Sequence, residues 1–219
     1  MERIPEPELM DDAEQARAYA TADFSEPHQA FVEHFKRCFP EQQPQNVLDL
    51  GCGPADVTIR FARAYPTCQL TGVDGAAAML EFARQAIRAA RLSSRIRLLN
   101  MRLPGNVSGR FDTVISNSLL HHLVDPSVLW QALATSAERG AAAFVMDLRR
   151  PETCGAATGL VEQYSGDEPD VLKRDFFNSL LAAYRPEEIH GQLGNAGLND
   201  RLRVDVVSDR HLIVWGHLP

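Results

Sequence analysis

Two glycines between an apolar segment and a helical segment give the clearest indication of a ligand-binding site in this chain. In VLDLGCGPADV (residues 47–57) the apolar run is followed by Gly51, Cys52 and Gly53. A glycine pair at a strand-to-helix junction lets the backbone turn tightly and lets a ligand approach the main chain. The spacing therefore predicts a ligand site at this junction.

Two carboxylates near this loop indicate the kind of ligand. Asp49 precedes Gly51 by two residues, and Asp74 ends the next apolar run, QLTGVD. A carboxylate at the position of Asp74 can accept hydrogen bonds from both hydroxyls of a ribose. Asp49 would repel a pyrophosphate and attract an ammonium group, and the third glycine of the dinucleotide fingerprint G-x-G-x-x-G is absent. A positively charged nucleoside fits both observations, and S-adenosylmethionine is the candidate.

Alternating strands and helices must position these residues. The pattern predicts five buried strands at 46–50, 69–74, 96–100, 111–116 and 142–147. Helices are predicted between and before them, at 11–20, 27–38, 54–65, 76–91 and 126–138. Apolar strands that alternate with helices of this length indicate a doubly wound α/β fold with a parallel sheet covered on both faces.

The two ends of the chain depart from this alternation. Residues 1–10 are predicted to be a loose arm, because Pro5 and Pro7 oppose a helix. Residues 155–184 read as helical with no intervening strand, and a further helix is predicted at 186–196. The last two strands, 201–207 and 210–216, are joined by Ser208–Asp209, and so short a link indicates an antiparallel hairpin.

Three segments together resemble the class I (Rossmann-like) S-adenosylmethionine-dependent methyltransferases of the small-molecule, ubiquinone/menaquinone-biosynthesis type. They are VLDLGCGPADV, GVDGAAAML (72–80) and FDTVISNSLLHHLVDP (111–126), and the resemblance covers about 46–150. It implies a seven-stranded, mostly parallel sheet in the order 3-2-1-4-5-7-6 with strand 7 antiparallel, which agrees with the predicted alternation and hairpin. It also implies S-adenosyl-L-methionine as cofactor, with S-adenosyl-L-homocysteine as product.

The resemblance assigns roles in cofactor binding. Asp49 would contact the methionine amino group, Gly51 and Gly53 would line the methionine and ribose, and Asp74 would bind the ribose hydroxyls. The third strand ends in Asn100-Met101 where relatives often have Gly-Asp, so either the amide oxygen of Asn100 or the backbone would meet the adenine. Cys52 is interpreted as a small packing residue beside the cofactor rather than a nucleophile. The full predicted set is Asp49, Gly51, Cys52, Gly53, Asp74, Gly75, Asn100, Met101 and Asn117.

Residues for catalysis and for the acceptor follow from position. His121 and His122 come after the fourth strand, where a methyl group would be delivered, and either could act as a base or simply pack. Because the two histidines are adjacent, they need not share a metal, and no metal is predicted. The acceptor residues are predicted in the N-terminal helices and in the insert after strand five; they are Tyr19, His28, Tyr164, Asp175, Phe176 and Asn178.

The resemblance implies a single methyltransferase domain over 1–219 that transfers a methyl group to a small-molecule acceptor. Its parts are an N-terminal helical segment (1–45), a cofactor-binding core (46–150), a cap insert (155–184) and a C-terminal hairpin (201–216). Three alternatives stay open: a nicotinamide dehydrogenase, a cofactor-binding protein with a regulatory role, and an enzyme that transfers another group from the same cofactor.

Composition limits the partners. The 219 residues carry 22 Lys+Arg against 29 Asp+Glu, a net charge of −7, so nucleic acid is not an expected partner. The sequence has no apolar stretch of about 20 residues, so no membrane span is predicted. The four cysteines form no C-x-x-C pair and are interpreted as reduced thiols of a cytoplasmic protein. A monomer and a homodimer are both compatible with the sequence.

Overall fold

A seven-stranded sheet organises the chain. The computed structural model describes residues 1–6 and 13–219. In chain order the strands are β1 (Asn46–Leu50), β2 (Gln69–Asp74), β3 (Ile96–Asn100), β4 (Phe111–Asn117), β5 (Ala137–Leu148), β6 (Leu202–Val206) and β7 (His211–His217). The helices are α1 (Ala13–Thr21), α2 (Ser25–Cys38), α3 (Asp56–Ala64), α4 (Ala77–Ala89), α5 (Ser127–Ser136), α6 (Cys154–Ser165), α7 (Asp170–Ala182) and α8 (Pro186–Asn195), with a 3-10 turn at Leu120–His122.

The strand order confirms the predicted topology. The sheet runs β3-β2-β1-β4-β5-β7-β6, and β7 is antiparallel to both of its neighbours. The first five strands are parallel, so their carboxyl ends lie along one edge of the sheet. β1 lies between β2 and β4. At this point the strand order reverses, because β2 and β3 lie on one side of β1 and β4 and β5 lie on the other. Ligands of open α/β sheets bind at this switch point.

Two apolar layers bury the sheet. On one face, α5 and α8 pack against side chains such as Leu48 and Val114. On the other face, α2, α3 and α4 pack against the alternate positions, including Val47 and Ile115. Both faces of the central strands are therefore dry, which explains why these strands read as continuous apolar runs rather than alternating ones.

The region between α5 and β5 differs from its predicted bounds. The helix ends at Ser136 and the strand already begins at Ala137, five residues before its predicted start. The segment AERGAAA contains several residues of high intrinsic helix propensity. Ala137 nevertheless has extended backbone angles, with φ −78° and ψ +146°, and pairs with Phe111 of β4, so strand pairing overrides the local preference.

Both ends of the chain differ from their predicted structure. The described residues 1–6 are not a loose arm, because the Ile4 amide donates to Leu181 and Arg3 donates to carbonyl oxygens of Ala182 and His121. The hairpin connection is longer than two residues, since β6 ends at Val206 and β7 begins at His211. No helix in the described part of the chain is long and apolar enough to span a bilayer.

Candidate functional site

The glycine loop after β1 is held in place by its own hydrogen bonds. The amides of Gly51 and Cys52 both donate to the carbonyl oxygen of Val73, at 2.8 and 3.0 Å. The Gly53 amide donates to Oδ2 of Asp74 at 2.8 Å. Gly51 and Gly53 have φ values of +74° and +51°, which glycine adopts without the steric cost that a Cβ would add. The loop is therefore preformed rather than shaped by a ligand.

Asp74 joins this loop to the start of α4. Its Oδ2 accepts from Gly53, and its Oδ1 accepts from the amide of Ala76 at 2.8 Å. The carboxylate is only partly buried and lines the cavity beside the loop. Each carboxylate oxygen can accept a second hydrogen bond. Asp74 can therefore hold the loop and bind a pair of hydroxyls at the same time.

Asp49 is a buried carboxyl at the same edge of the sheet. It is 1% exposed, and Thr58 Oγ1 donates to its Oδ2 at 2.5 Å. Burial raises the pKa of Asp49 to about 7, and the nearby charge of Asp74 adds to this effect while the Thr58 bond opposes it. A cationic group of a ligand would offset the burial cost and lower this pKa again.

A cavity of about 120 Å³ lies between these carboxylates. It brings together eight of the nine predicted cofactor residues, namely Asp49, Gly51, Cys52, Gly53, Asp74, Gly75, Met101 and Asn117. Asn100 is not among the lining residues, and its side-chain nitrogen donates to the backbone carbonyl oxygens of Asp74 and Gly75. Burial raises the pKa of the Cys52 thiol well above its ordinary value, which fits a packing residue and not a nucleophile.

A second cavity of about 310 Å³ adjoins the first. Of the predicted acceptor residues, Tyr164, Asp175 and Phe176 line it, whereas Asn178 is exposed and lies outside it. The residues that line both cavities are Tyr19, His28, Asn117, Ser118 and His122. A group bound in the first cavity would thus be within reach of a molecule in the second.

Aromatic side chains form part of the wall between the cavities. Tyr19 and His28 both pack against Phe24, with ring centroids 4.7 and 5.5 Å apart. His28 Nδ1 contacts Asp56 Oδ2 at 2.7 Å, which fixes the orientation of the imidazole ring. Burial raises the pKa of Tyr19 to about 12, and the charges of Asp147, Asp56 and Asp74 add to the shift. The Tyr19 hydroxyl therefore stays protonated near neutral pH and can donate a hydrogen bond.

His121 belongs to a buried network that sequence reasoning did not find. Its Nδ1 lies 2.5 Å from Oδ1 of Asp147. The same Oδ1 accepts from the amide of Leu148, and Oδ2 accepts from the amide of Leu120, both at 2.7 Å. Burial raises the pKa of Asp147, but the bond and charge of His121 outweigh it and hold this pKa below its ordinary value. Because an ionised carboxylate only accepts, Nδ1 of His121 carries the proton and Nε2 is directed away from Asp147.

Glu6 completes the cluster on the cavity side. Its Oε1 lies 3.5 Å from His121 Nε2 and 3.3 Å from His122 Nδ1. Ser179 Oγ donates to the same oxygen at 3.0 Å. Burial raises the pKa of Glu6, against the lowering effects of His121 and Ser179.

Arg210 is a further charged residue of the second cavity that the sequence did not indicate. Its guanidinium lies 3.2 Å from the ring centroid of Tyr164 and 3.5 Å from Glu26. The hydroxyl of Tyr164 donates to Asp209 at 2.8 Å, so this tyrosine orients Arg210 instead of offering its proton to the cavity. A carboxylate at the end of an apolar strand could have identified Asp147, but only packing brings Glu6 and Arg210 here.

Sequence comparison identifies a domain and distant relatives. Residues 47–139 match the family model described as a methyltransferase domain. A malonyl-[acyl-carrier protein] O-methyltransferase from Legionella pneumophila is 36% identical over 36% of this chain and 27% of that protein. The ribosomal RNA small subunit methyltransferase C of Escherichia coli is 31% identical over 62% of this chain and 36% of that protein. The chain therefore spans well under half the length of these curated relatives.

Structural comparison extends over nearly the whole chain. The crystal structure of a SAM-dependent methyltransferase from Aquifex aeolicus superposes with a TM-score of 0.70. The superposition covers 95% of this chain and 99% of that one, at 16% sequence identity. At this identity the similarity shows a shared fold.

Proposed function

We propose that this chain is a class I S-adenosylmethionine-dependent methyltransferase and that it transfers a methyl group to a small-molecule acceptor; its sheet topology and its methyltransferase domain match at residues 47–139 support this proposal. The observation that carries the proposal is the pair of adjoining cavities, one beside Asp49 and Asp74 and one of about 310 Å³. Because the two cavities share lining residues, a reactive group bound in the first cavity would be close to a molecule bound in the second.

The first cavity suits the cofactor in charge and shape. Asp49, with a pKa raised to about 7, would be stabilised by the methionine ammonium group. Asp74 would accept the ribose hydroxyls on a carboxylate already fixed by two backbone amides. A Cβ built on Gly53 meets no atom within 4 Å, so the space beside this glycine is open for a ligand.

When bound, S-adenosylmethionine supplies an electrophilic methyl carbon: the acceptor atom bonds to it as the carbon–sulfur bond breaks, and the electron pair stays on sulfur. The chain must align the two molecules and exclude water. Tyr19, Phe24 and His28 close the junction of the cavities. The proton released by the acceptor would leave through the second cavity, where Glu6 and His122 lie.

The alternatives make different demands on the second cavity. A nicotinamide dehydrogenase would place a pyrophosphate near Asp49, where a buried carboxylate disfavours it. A regulatory binding protein needs no acceptor cavity, so the second cavity favours catalysis. The relative from Legionella pneumophila is an O-methyltransferase, which makes oxygen our proposed acceptor atom.

Turnover tests the proposal. Purified protein would be incubated with S-adenosylmethionine and a panel of small phenols, alcohols, carboxylic acids and amines, and S-adenosylhomocysteine would be measured by mass spectrometry. We expect S-adenosylhomocysteine to form only when an acceptor with a hydroxyl or carboxyl oxygen is present. Tight cofactor binding with no acceptor-dependent product would favour the regulatory alternative, and turnover with amines alone would contradict oxygen as the acceptor atom.

Gly53→Ala is expected to weaken S-adenosylhomocysteine binding by more than about tenfold, because the new methyl group would enter the cofactor cavity at a backbone with positive φ. Gly140→Ala is a matched control, since Gly140 also has positive φ and open space around its Cβ, but lies on β5 away from the cavity. Calorimetry should show normal affinity for Gly140→Ala. Equal affinity of the two variants for S-adenosylhomocysteine would show that the cofactor does not bind at this loop.

Phe176→Ala is expected to change KM and kcat for the acceptor several-fold while the affinity for S-adenosylhomocysteine stays within twofold. Phe176 lines the second cavity and not the first. Phe177→Ala is the control, because this neighbour packs against the same apolar cluster of α6 and α7 without lining the cavity. If both variants lower the melting temperature and leave acceptor kinetics unchanged, the insert serves packing alone.

The same proposal includes the wider organisation of the protein. We treat 1–219 as one methyltransferase domain in which 155–184 caps the acceptor cavity over the core at 46–150. A cytoplasmic location, no nucleic-acid partner and a monomer or homodimer remain part of this proposal. The four unpaired cysteines support the location.

A further inference from the structure

Glu6, His121 and His122 converge on one point at the wall of the acceptor cavity. One ligand atom from each side chain lies within 4.8 Å of the other two. From this geometry we infer a site for a divalent first-row transition metal such as Zn²⁺, held by the two imidazoles and the carboxylate. The expectation of no metal rested on the two histidines alone, and Glu6 supplies the third ligand.

The distances fit a metal better than a set of direct hydrogen bonds. Glu6 Oε1 lies 3.5 Å from His121 Nε2 and 3.3 Å from His122 Nδ1. Charge-assisted hydrogen bonds between such groups are about 2.7–2.9 Å long. Ligands about 2.0–2.1 Å from a tetrahedral zinc ion are separated by about 3.3 Å. The two separations from Glu6 match this value, and the two imidazole nitrogens lie within 4.8 Å of each other.

The surroundings of the cluster have the features of a built metal site. Asp147 fixes the His121 ring through Nδ1, so that Nε2 faces Glu6, and metal-binding histidines commonly have a carboxylate partner of this kind. Glu6 is held from the other side by Ser179, and its side chain is 11% exposed. Arg3 donates to the carbonyl oxygens of His121 and Leu123. These bonds hold the segment 1–6, which contains Glu6, against the 3-10 turn at Leu120–His122, which we call the histidine turn.

The cavity that the cluster faces is rich in carboxylates. Besides Glu6, its lining includes Asp23, Glu26, Glu168 and Asp175, and Arg210 is its one Lys or Arg side chain among the described residues. An excess of negative charge favours a cation in this space. Three protein ligands leave a fourth position open toward the cavity, the arrangement of catalytic and not structural zinc sites.

An open position also suggests the acceptor class, a step that rests on the proposed function. A metal ion would bind a hydroxyl oxygen of the acceptor and lower its pKa, as zinc does for bound water. The proton leaves to solvent, and the metal-bound oxygen keeps the electron pair that attacks the methyl carbon. The inferred acceptor is therefore a hydroxyl compound able to coordinate a metal.

Metal binding is tested without any turnover assay. Chelator-treated, dialysed protein would be titrated with Zn²⁺ by calorimetry and with Co²⁺ by visible absorption, which reports four-coordinate cobalt. We expect one equivalent with micromolar or tighter affinity, and at least tenfold weaker binding in Glu6→Gln and His122→Gln. His190→Gln is the control, because His190 is an exposed histidine on α8 outside both cavities.

Two results would overturn the metal site. One is no stoichiometric binding by the unmodified protein, and the other is binding that survives Glu6→Gln within threefold. The melting temperature of each metal-free variant checks folding, and Glu6→Gln alone decides if His122→Gln is unfolded. Calorimetry with S-adenosylhomocysteine distinguishes the metal site from the proposed function. Cofactor binding without zinc binding would reject the metal site and leave the proposed methyl transfer intact. Zinc binding without cofactor binding would reject the proposed methyl transfer.

Discussion

Replacing Asp74 with alanine is expected to weaken S-adenosylhomocysteine binding by about 30- to 1,000-fold. The loss of two charge-assisted hydrogen bonds to the ribose should cost roughly 2–4 kcal/mol. The change also removes the anchors of the Gly53 and Ala76 amides, so the glycine loop loses its preformed shape. Calorimetric titration of the variant and the unmodified protein measures the effect.

Asp112→Ala provides a matched control for this prediction. Asp112 also accepts two backbone amides, those of Gln45 and Asn46 at 2.9 and 2.8 Å, but it does so at the opposite edge of the sheet. Both variants should lower the melting temperature, and only Asp74→Ala should lose cofactor affinity. An affinity of Asp74→Ala within threefold of the unmodified protein would reject the assignment of this carboxylate to the ribose.

Asp49→Asn is expected to stabilise the free protein and to weaken cofactor binding at the same time. Burial raises the pKa of Asp49 to about 7, so the folded state binds its proton more tightly than the unfolded state does. Stability from this group is therefore greatest at low pH and falls as the pH rises from about 4 to about 7. Asparagine carries no charge to bury, and it keeps an oxygen for the Thr58 hydroxyl.

The expected gain in the free energy of unfolding at pH 8 is about 2–4 kcal/mol, since one pKa unit corresponds to about 1.4 kcal/mol. The gain should be about half as large or less at pH 5, which urea unfolding at both pH values would measure. Cofactor affinity should fall about 10- to 100-fold, because the methionine ammonium loses its carboxylate partner. A variant that is less stable at pH 8 and binds normally would contradict this role.

The unmodified protein offers a second test of the same carboxyl group. Because the ammonium favours the ionised carboxylate, binding at pH 6.5 should release a proton from Asp49. Calorimetry in buffers of different ionisation enthalpy would detect that release, and Asp49→Asn should abolish it.

Much of the fold could be predicted because its strands are specified locally. β1, β2 and β3 have their predicted bounds, since each is an apolar run between polar or glycine-containing segments. The predicted resemblance of these segments to a methyltransferase domain is confirmed by the family model matched at residues 47–139, and the predicted strand order is confirmed by the sheet. Along a parallel sheet, the carboxyl ends of β1, β2 and β4 must meet, so the cofactor residues could be grouped before the structure was known.

The acceptor side could not be predicted in the same way. Glu6 reaches the cavity because residues 1–6 pack against α7 and the histidine turn, through contacts more than a hundred residues apart in sequence. Arg210 is available because the hairpin turn is longer than its two predicted residues, which leaves this side chain outside β7. The position of the Asn100 side chain is of the same kind, because its nitrogen donates to the carbonyl oxygens of Asp74 and Gly75 in the loop after β2.

A crystal structure with bound S-adenosylhomocysteine would show directly whether the two cavities serve methyl transfer. We expect the ribose hydroxyls on Asp74, the amino group toward Asp49, and the sulfur atom facing the second cavity beside Asn117 and His122. Electron density for the ligand elsewhere, or a sulfur atom turned away from the second cavity, would contradict the proposed methyl transfer.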